Sequence, residues 1–358
     1  ACAAFIPTAI AGTRLDGTTA SAFKLESNGT LGFRNDPERG VWCDHPFTGT
    51  VLEHLWIQLV SLFYAVDEKT GFTRQMRADW DDAVDQAYGG NVPFSMAFVW
   101  GAEMLAEMID RIVEGPNEQS ASGLRPDRDD EDARRASEKD EASEGRERSG
   151  GFLPAAKELK ASSANVHAEH AHLIEIFEDH RDWFGSTDLS SRSERLDAVV
   201  RRVDGDFHSA KMKVKSAELA ADLRGKAVAM RTYINTNAWI EDGGFYLAYT
   251  DRSGTPIDYY RSETDCMMHL IAQTFALLAG IPDATREEQM VRSVFKRLWD
   301  PHVGGVRLDL PFRAFRENVG RKTQFAPGTK EHAAKFSHMS LMFMAGLLAR
   351  GRADEALR

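Results

Sequence analysis

An acidic stretch built around a tryptophan is the segment of this sequence best suited to chemistry. Asp79, Asp81 and Asp82 flank Trp80 directly after a glycine-containing loop. An indole ring stacks on the apolar C–H face of a sugar, adjacent carboxylates bind hydroxyls or transfer a proton, and crowding of like charges favours the protonated carboxyl of a general acid. The stretch therefore indicates a sugar-binding acid. The alternative is an acidic helix start, where Asp79 or Asp81 interacts favourably with the helix dipole.

A second stretch, QFAPGTKEHAAKFSHM at residues 324–339, combines a Pro-Gly turn with cations and histidines. We expect a helix whose first turns carry Lys330, Glu331 and His332, with His338 two turns further on. Backbone N–H groups at a helix start favour an anion, and a nearby Lys or protonated His adds positive charge. The pattern is typical of an anion site, and a capped surface helix is the alternative.

Composition limits the partners and cofactors. The 358 residues are 42% hydrophobic with a formal net charge of -11, which predicts a sizeable core and argues against nucleic acid as the principal partner. Cys2, Cys43 and Cys266 are scattered, so neither a zinc site nor a disulfide framework is indicated, and a reduced cytoplasmic setting is expected. The sequence has no glycine-rich nucleotide motif, and His167 and His170 lack a surrounding zinc motif. We therefore expect neither a metal nor a cofactor.

The hydrophobic spacing predicts a mainly helical protein. Alternating residues from Gly243 to Thr250, followed by Asp251 to Gly254, predict a strand and a hairpin-type turn. The longest apolar stretches, such as Ser340 to Ala349, are too short to span a bilayer, so we expect no membrane partner. Paired helices in series are typical of an α/α barrel or solenoid. The predicted helical regions are residues 50–66, 93–113, 153–231, 265–279, 286–298 and 332–351.

Two segments lack this periodicity. Residues 1–47 are rich in Gly and Thr, and we expect irregular structure there. Residues 114–151 are polar with mixed charges, and such a stretch buries too little apolar surface to offset its ordering entropy. We predict a disordered insertion. It lies inside the domain, because helical patterning resumes on both sides of it.

Four motifs in series resemble glycoside hydrolase family 94, the family of cellobiose, chitobiose and related β-glucan phosphorylases. They are RADWDD, AWIEDGGFYLAYTD, GGVRLD and PGTKEHAAKFSHM, in the family's order. The resemblance implies a partial (α/α)6 toroid of the six-hairpin glycosidase type over residues 48–358, with residues 1–47 an irregular part of the same catalytic domain. It also implies flanking parts outside this sequence: a β-sandwich before it and a Thr-Gly phosphate loop after it.

The resemblance implies an inverting phosphorolysis. The family cleaves a β-glucosidic bond with inorganic phosphate as co-substrate, which gives α-glucose 1-phosphate and requires no cofactor. The residues carried over by motif are the general acid Asp82, the sugar-binding Trp80 and Asp79, the acceptor-facing Lys330 with Glu331, and the phosphate-contacting His338.

Two positions depart from the family's motifs. Asp81 stands where the family has Asn, which places another negative charge beside the acid. His332 stands where the family has Asn after Lys-Glu, so we expect different acceptor contacts. The linkage stays open among β-1,4, β-1,2 and β-1,3. We expect a β-gluco-oligosaccharide and phosphate as partners, with a homodimer as the assembly to test.

Two other functions stay open. An inverting hydrolase needs a second carboxyl that activates water on the opposite face of the sugar, whereas a phosphorylase needs only the acid and groups that bind phosphate. The third interpretation is an inactive or fragmentary carbohydrate-binding remnant, because half a toroid leaves apolar helix faces without partners. The candidates for a hydrolytic base are Glu263, Asp265, Asp300 and Glu331.

Overall fold

The protein is mainly helical with short strands, as the hydrophobic spacing predicts. Most of residues 1–47, and all of the predicted insertion except Glu114, lie outside the described residues. The computed structural model describes residues 20–21, 34–36, 41–42, 48–49, 51–75, 81–114, 173–202, 210–302 and 304–358.

The described residues contain eight α-helices and thirteen short strands. The helices are α1 Val51–Tyr64, α2 Val92–Glu114, α3 Arg192–Arg202, α4 Ser216–Asn237, α5 Leu270–Leu278, α6 Ala284–Arg297, α7 Ser337–Ala349 and α8 Ala353–Ala356. The strands are β1 Ala20–Ser21, β2 Arg34–Asp36, β3 Val41–Trp42, β4 Thr48–Gly49, β5 Thr73–Arg74, β6 Tyr88–Asn91, β7 Leu173–Phe177, β8 Lys211–Lys215, β9 Trp239–Ile240, β10 Phe245–Tyr246, β11 Tyr249–Asp251, β12 Tyr259–Ser262 and β13 Asp265–Met267. Two 3-10 helices cover Glu178–Trp183 and Arg321–Gln324.

The core lies along α2, which packs against α1, α4 and α5. Apolar residues recur on α2 at intervals of three or four or their multiples, and Met96, Val99, Leu105 and Ile109 are all buried. α5 packs in turn against α6 and α7, and α1 packs against α3. Successive helices therefore enclose one contiguous apolar core.

α2 contains a longer apolar stretch than the sequence analysis recognised. Residues Val92–Arg111 have the length and hydropathy of a membrane span, so the expectation that every apolar stretch is too short is wrong for this segment. However, 56% of that window is buried within the described part of the chain. Neighbouring helices cover α2 on several sides, which explains why it is apolar nearly all round.

A three-stranded antiparallel sheet ties the first helices to the middle of the chain. Its order is β11-β6-β5, so β6 pairs with β5 on one side and with β11 on the other. Because β5 and β6 are neighbours, residues 75–87 connect two paired strands. This connection carries Asp81 and Asp82 and is called the acid loop.

Several predicted elements are confirmed. α1, α2 and α6 each begin and end within two residues of the predicted bounds. The hairpin-type turn after β11 is also present, since Gly254 N donates to Asp251 O at 2.9 Å. The Asp251 carboxylate stabilises this turn by accepting hydrogen bonds from the Ser253 and Thr255 amides.

Other predicted helical segments are wrong. Leu173–Phe177 is a strand paired with Lys211–Lys215, because a short apolar run with β-branched residues satisfies either period. The last predicted long helix begins only at Ser337. Lys330 and Ala333 have φ values of 48° and 53°, which a right-handed helix does not contain. Likewise, α5 begins five residues later than predicted, because β13 occupies that stretch.

Candidate active site

Asp82 lies in a turn of the acid loop, and its side chain is 59% exposed. No helix begins at Asp81 or Asp82, so the alternative of an acidic helix start is wrong for Asp81. Ala83 and Val84, which follow it directly, are buried. The loop is thus anchored beneath an exposed carboxylate. The predicted sugar-binding residues Asp79 and Trp80 lie outside the described residues.

The acid loop is docked on the start of the second 3-10 helix. Lys322 N donates to Ala83 O at 3.0 Å, and Arg321 N donates to Asp85 Oδ1 at 3.1 Å. The Arg321 guanidinium lies 3.0 Å from Asp82 Oδ2 and donates to Asp82 O at 3.1 Å. The candidate acid therefore has an arginine partner from a distant part of the sequence.

Gly320 permits this close approach. Its φ is 101°, a conformation that L-residues rarely adopt. A Cβ at this position would lie 1.9 Å from Asp85 Oδ1. The backbone at Gly320 can therefore meet the acid loop only because this residue has no side chain.

A buried lysine links the acid loop to a third segment. The Lys322 side chain is 0% exposed, and its ammonium pairs with Asp81 and lies 2.6 Å from Asp309 Oδ2. Asp309 Oδ1 accepts a hydrogen bond from Ala333 N at 2.9 Å. Asp81, Lys322 and Asp309 are called the buried triad. The triad connects the acid loop, the second 3-10 helix and the turn that precedes α7.

The triad places two carboxylates and one ammonium away from water. Burial by itself would lower the pKa of Lys322, but the Asp309 and Asp81 carboxylates outweigh burial and raise that pKa above its ordinary value. Burial raises the pKa of Asp309, although Lys322 opposes this shift. Both directions follow from an excess of negative charge in a dry environment. The Lys322 ammonium therefore stays charged.

One grouping of the described residues has the composition of a metal site. Asp81, Asp309 and His269 place one ligand atom each within 4.8 Å of one another. Here, however, Lys322 contacts both carboxylates. His269 is held from behind by Asp258, whose Oδ1 lies 2.7 Å from His269 Nδ1 and accepts a bond from the His269 amide at 2.9 Å. We interpret this grouping as the surroundings of a buried lysine.

The predicted acceptor residues lie on a turn, not in a helix. Lys330 has a positive φ, and its ammonium lies 4.7 Å from the Phe325 ring centroid. His332 is buried, its Nε2 accepts from Phe312 N at 2.8 Å, and its Nδ1 donates to Phe325 O at 2.6 Å. Both ring nitrogens of His332 are therefore engaged in hydrogen bonds to backbone atoms. The side chain of this residue ties the turn to Phe312, and the expectation of different acceptor contacts stays a prediction.

The remaining predicted residues flank this turn. Glu331 is half-buried. His338 is exposed at the second residue of α7, with its ring centroid 5.7 Å from that of Phe336. The structure brings the acid loop and the Lys330 turn together through the triad. It pairs Asp82 with Arg321 and places Lys330 on an aromatic ring, so these two charged residues are not partners of each other.

Three residues of the site were not predicted. Asp309 ends the GGVRLD motif, while Arg321 and Lys322 shortly precede PGTKEH. The motifs therefore indicated the segments around the candidate site, but they assigned no role to these three residues. A lysine in a charged, turn-rich segment is usually exposed, and no local spacing reveals that this one is buried.

Part of the chain matches a known family of catalytic domains. Residues 204–358 match the Glycosyl hydrolase 94 superfamily, catalytic domain. The predicted resemblance is confirmed, since this segment of the chain is similar to part of a catalytic domain of that superfamily. Lys322 and Asp309 lie within the matched range, whereas Asp82 precedes it. The contact between Asp82 and Arg321 therefore joins the acid loop to the matched segment.

Three relatives are named as phosphorylases. The chain is 28% identical over 159 residues to solabiose phosphorylase of Paenibacillus borealis, which covers 44% of this chain and 20% of the relative. It is 29% identical over 133 residues to N,N'-diacetylchitobiose phosphorylase of Vibrio proteolyticus, covering 37% and 16%. It is 29% identical over 139 residues to 3-O-beta-D-glucopyranosyl-beta-D-glucuronide phosphorylase of Paenibacillus borealis, covering 39% and 17%. The chain therefore spans at most a fifth of the length of these relatives.

Proposed function

We propose that this chain is part of an inverting glycoside phosphorylase that transfers a glucosyl unit from a β-linked gluco-oligosaccharide to inorganic phosphate. The observation that carries the proposal is the exposed Asp82 carboxylate, anchored against Arg321 of the family-matching segment. A general acid must reach the glycosidic oxygen while its backbone stays fixed. The relatives named as phosphorylases support this reaction class.

In the proposed reaction, protonated Asp82 donates its proton to the glycosidic oxygen as the bond from that oxygen to C1 breaks. A phosphate oxygen attacks C1 from the opposite face and forms the new C1–O bond, so a β-linked substrate gives α-glucose 1-phosphate. Arg321, which pairs with Asp82 in the structure, has to move away from the carboxyl so that the glycosidic oxygen can approach it. Phosphate is the nucleophile, and no second carboxyl is needed.

The other predicted residues complete the proposed site. Lys330 and Glu331 face the acceptor sugar, and Trp80 and Asp79 bind the sugar beside the acid. His338 contacts phosphate from the first turn of α7, where the helix dipole also favours an anion.

Two of the candidate hydrolytic bases are poorly suited to activate water. Glu263 pairs with Lys296 at 2.8 Å, and this hydrogen bond holds the pKa of Glu263 below its ordinary value. Asp300 accepts a hydrogen bond from Arg307 at 3.0 Å, which likewise lowers the pKa of Asp300. A general base works best with a pKa near the operating pH. These pairs favour phosphorolysis over hydrolysis, with Asp265 and Glu331 as the remaining candidates for a base.

The finer fold and setting belong to the same proposal. The paired helices form part of an (α/α)6 toroid whose remainder corresponds to other parts of the longer relatives. The enzyme works in the cytoplasm without a cofactor. A homodimer is the assembly to test by light scattering.

The proposal is tested by product analysis of Asp82→Asn beside the wild type. Cellobiose, sophorose and laminaribiose represent the three open linkages, each incubated with and without phosphate. We expect the wild type to release α-glucose 1-phosphate only with phosphate, with the anomer assigned by proton NMR. Asp82→Asn should lose this activity while its circular dichroism stays unchanged. Asp197→Asn, at an exposed position of α3, is the matched control and should remain active.

Three results would contradict parts of the proposal. Sugar release that does not depend on phosphate identifies a hydrolase. Full activity of Asp82→Asn removes this residue as the acid. No reaction with any substrate in the wild type supports the inactive-remnant interpretation for this chain.

A further inference from the structure

The buried triad forms a continuous connection between the two halves of the candidate site. Asp81 precedes the proposed acid directly in the chain, and its carboxylate pairs with Lys322. The same ammonium contacts Asp309, and the other oxygen of Asp309 accepts the Ala333 amide at the end of the Lys330 turn. One lysine therefore joins the segment that carries the acid to the segment that carries the proposed acceptor residues.

Lys322 holds the acid loop through two separate contacts. Its backbone N–H donates to Ala83 O at 3.0 Å, and its side chain pairs with Asp81. These contacts lie on either side of Asp82 in the sequence. A displacement of Lys322 would therefore move the backbone that fixes the Asp82 carboxylate.

Stability alone is a weak reason for such a triad. Replacing buried ion pairs by well-packed apolar residues is often neutral or stabilising, because desolvation of the charges offsets much of their attraction. The triad does restrict the positions of its segments, because a buried carboxylate that moves away from its only ammonium partner becomes an uncompensated buried charge. The three segments meet nowhere else through a fully buried charge among the residues that the structure describes.

We propose that Lys322 is a positioning residue of the proposed phosphorylase, which fixes the Asp82 loop relative to the turn carrying Lys330 and Glu331. This inference rests on the proposed function for its kinetic consequence. Its structural part, that Lys322 orders both segments, stands independently of any activity.

The kinetic test compares Lys322→Met with the double variant Lys322→Met, Asp81→Asn. The single variant leaves two buried carboxylates without a cation. The double variant leaves one, Asp309, whose pKa burial already raises, so folding stability should return towards that of the wild type. If Lys322 only balances charge, activity should return as well. A positioning lysine predicts that kcat stays about 100-fold low, the size of effect expected for a misplacement of about 1 Å, with KM for phosphate nearly unchanged.

The structural test measures amide hydrogen exchange of the same variants by mass spectrometry. We expect the double variant to lose protection in residues 81–87 and 332–335, while α6 keeps the protection seen in the wild type. Lys226→Met removes another fully buried lysine, located on α4, and serves as the matched control. It should leave both segments and kcat unchanged.

The two tests separate the inference from the proposed function. Wild-type kcat in the folded double variant, or unchanged protection of both segments, overturns the inference. If the wild type shows no phosphorolysis, the proposed function fails, and the exchange measurement alone decides whether Lys322 orders the two segments. Loss of protection then supports that ordering.

Discussion

Among the described residues, two lysines are fully buried, and their surroundings shift the pKa of the ammonium in opposite directions. Lys226 lies in the helical core, pairs with Asp222 one turn earlier on α4, and lies 5.9 Å from the Phe63 ring centroid. Burial lowers the pKa of Lys226, and Asp222 opposes this only in part. Lys322 lies between two carboxylates, and their charges raise its pKa.

The difference shows what each region does to a positive charge. The helical core disfavours it: His180, packed among aromatic rings, has its pKa lowered to about 3 by burial and by the nearby Arg202 and Lys211. The acid-loop region requires a positive charge, since the buried carboxylates of Asp81 and Asp309 have no ion-pair partner other than Lys322 among the described residues. A local pair on one helix therefore serves the fold, whereas the triad holds distant segments together.

The largest expected effect is the loss of stability in Lys322→Met. Removing the cation leaves Asp81 and Asp309 buried without a partner, and breaking a buried ion pair costs about 3–5 kcal/mol. We expect a loss near the upper end of that range, because two carboxylates are affected. Urea unfolding at pH 7, followed by circular dichroism, measures it. A loss no greater than that of Lys226→Met would remove the contrast between the two lysines.

The second prediction concerns the docking of the acid loop at Gly320. Alanine at this position meets Asp85 at 1.9 Å and has to adopt a φ of 101°. Its ψ of -153° places Gly320 in a backbone region that is open essentially only to glycine. Strain of about 1–3 kcal/mol and overpacking of similar size predict a loss of about 3 kcal/mol. Gly351→Ala is the matched control, since Gly351 has a φ of 74° but no atom within 4 Å of the added Cβ. An equal loss in both variants would show that backbone strain, and not contact with the acid loop, decides the result.

The helices of the core could be predicted because their cause is local. On α2 and α6 the apolar residues recur at helical spacing, and Asp283 caps α6 by accepting the Arg286 amide. An exposed position for Asp82 on the loop after Arg74 could also be expected from the sequence, since the motif marked this segment. The strand Leu173–Phe177 was missed because five residues are too few to separate the two periods.

The triad could not be predicted for the opposite reason. Lys322 and Asp81 are 241 residues apart, so their pairing depends on tertiary packing and leaves no periodic signal. The left-handed residues Lys330 and Ala333 are not glycines, and this removes the usual sequence mark of such a turn. The motifs thus indicated the segments of the candidate site, but the fold decides which charged side chains meet there.

The third prediction is a smaller loss of stability in Lys226→Met. The charged lysine is itself disfavoured at its position, because burial lowers its pKa, so its removal relieves part of that penalty. Asp222 keeps a hydrogen bond from Gly185 N at 2.9 Å, and burial raises the pKa of its carboxyl, which eases protonation. We expect a loss of about 2 kcal/mol, below the range for buried pairs that lose their counterion outright. The urea midpoint beside that of Lys322→Met tests the order.

The smallest expected effect is a dependence of stability on pH that originates at His180. Its pKa is about 3 in the folded protein and about 6.5 when unfolded, so only the unfolded chain binds a proton between these values. Stability is fully present above about pH 6.5 and is lost as the pH falls towards 3, by at most about 1.4 kcal/mol per pH unit. By pH 5.5 the loss relative to pH 7.5 amounts to about 1.4 kcal/mol. Urea midpoints of the wild type and His180→Phe at pH 7.5, 6.5 and 5.5 measure it.

Buried carboxyls such as Asp222 and Asp309 titrate in both proteins, so the difference between the two curves isolates His180. Parallel curves would mean that the helical core tolerates a positive charge at this position, and the electrostatic contrast with the acid-loop region would then rest on Lys226 alone.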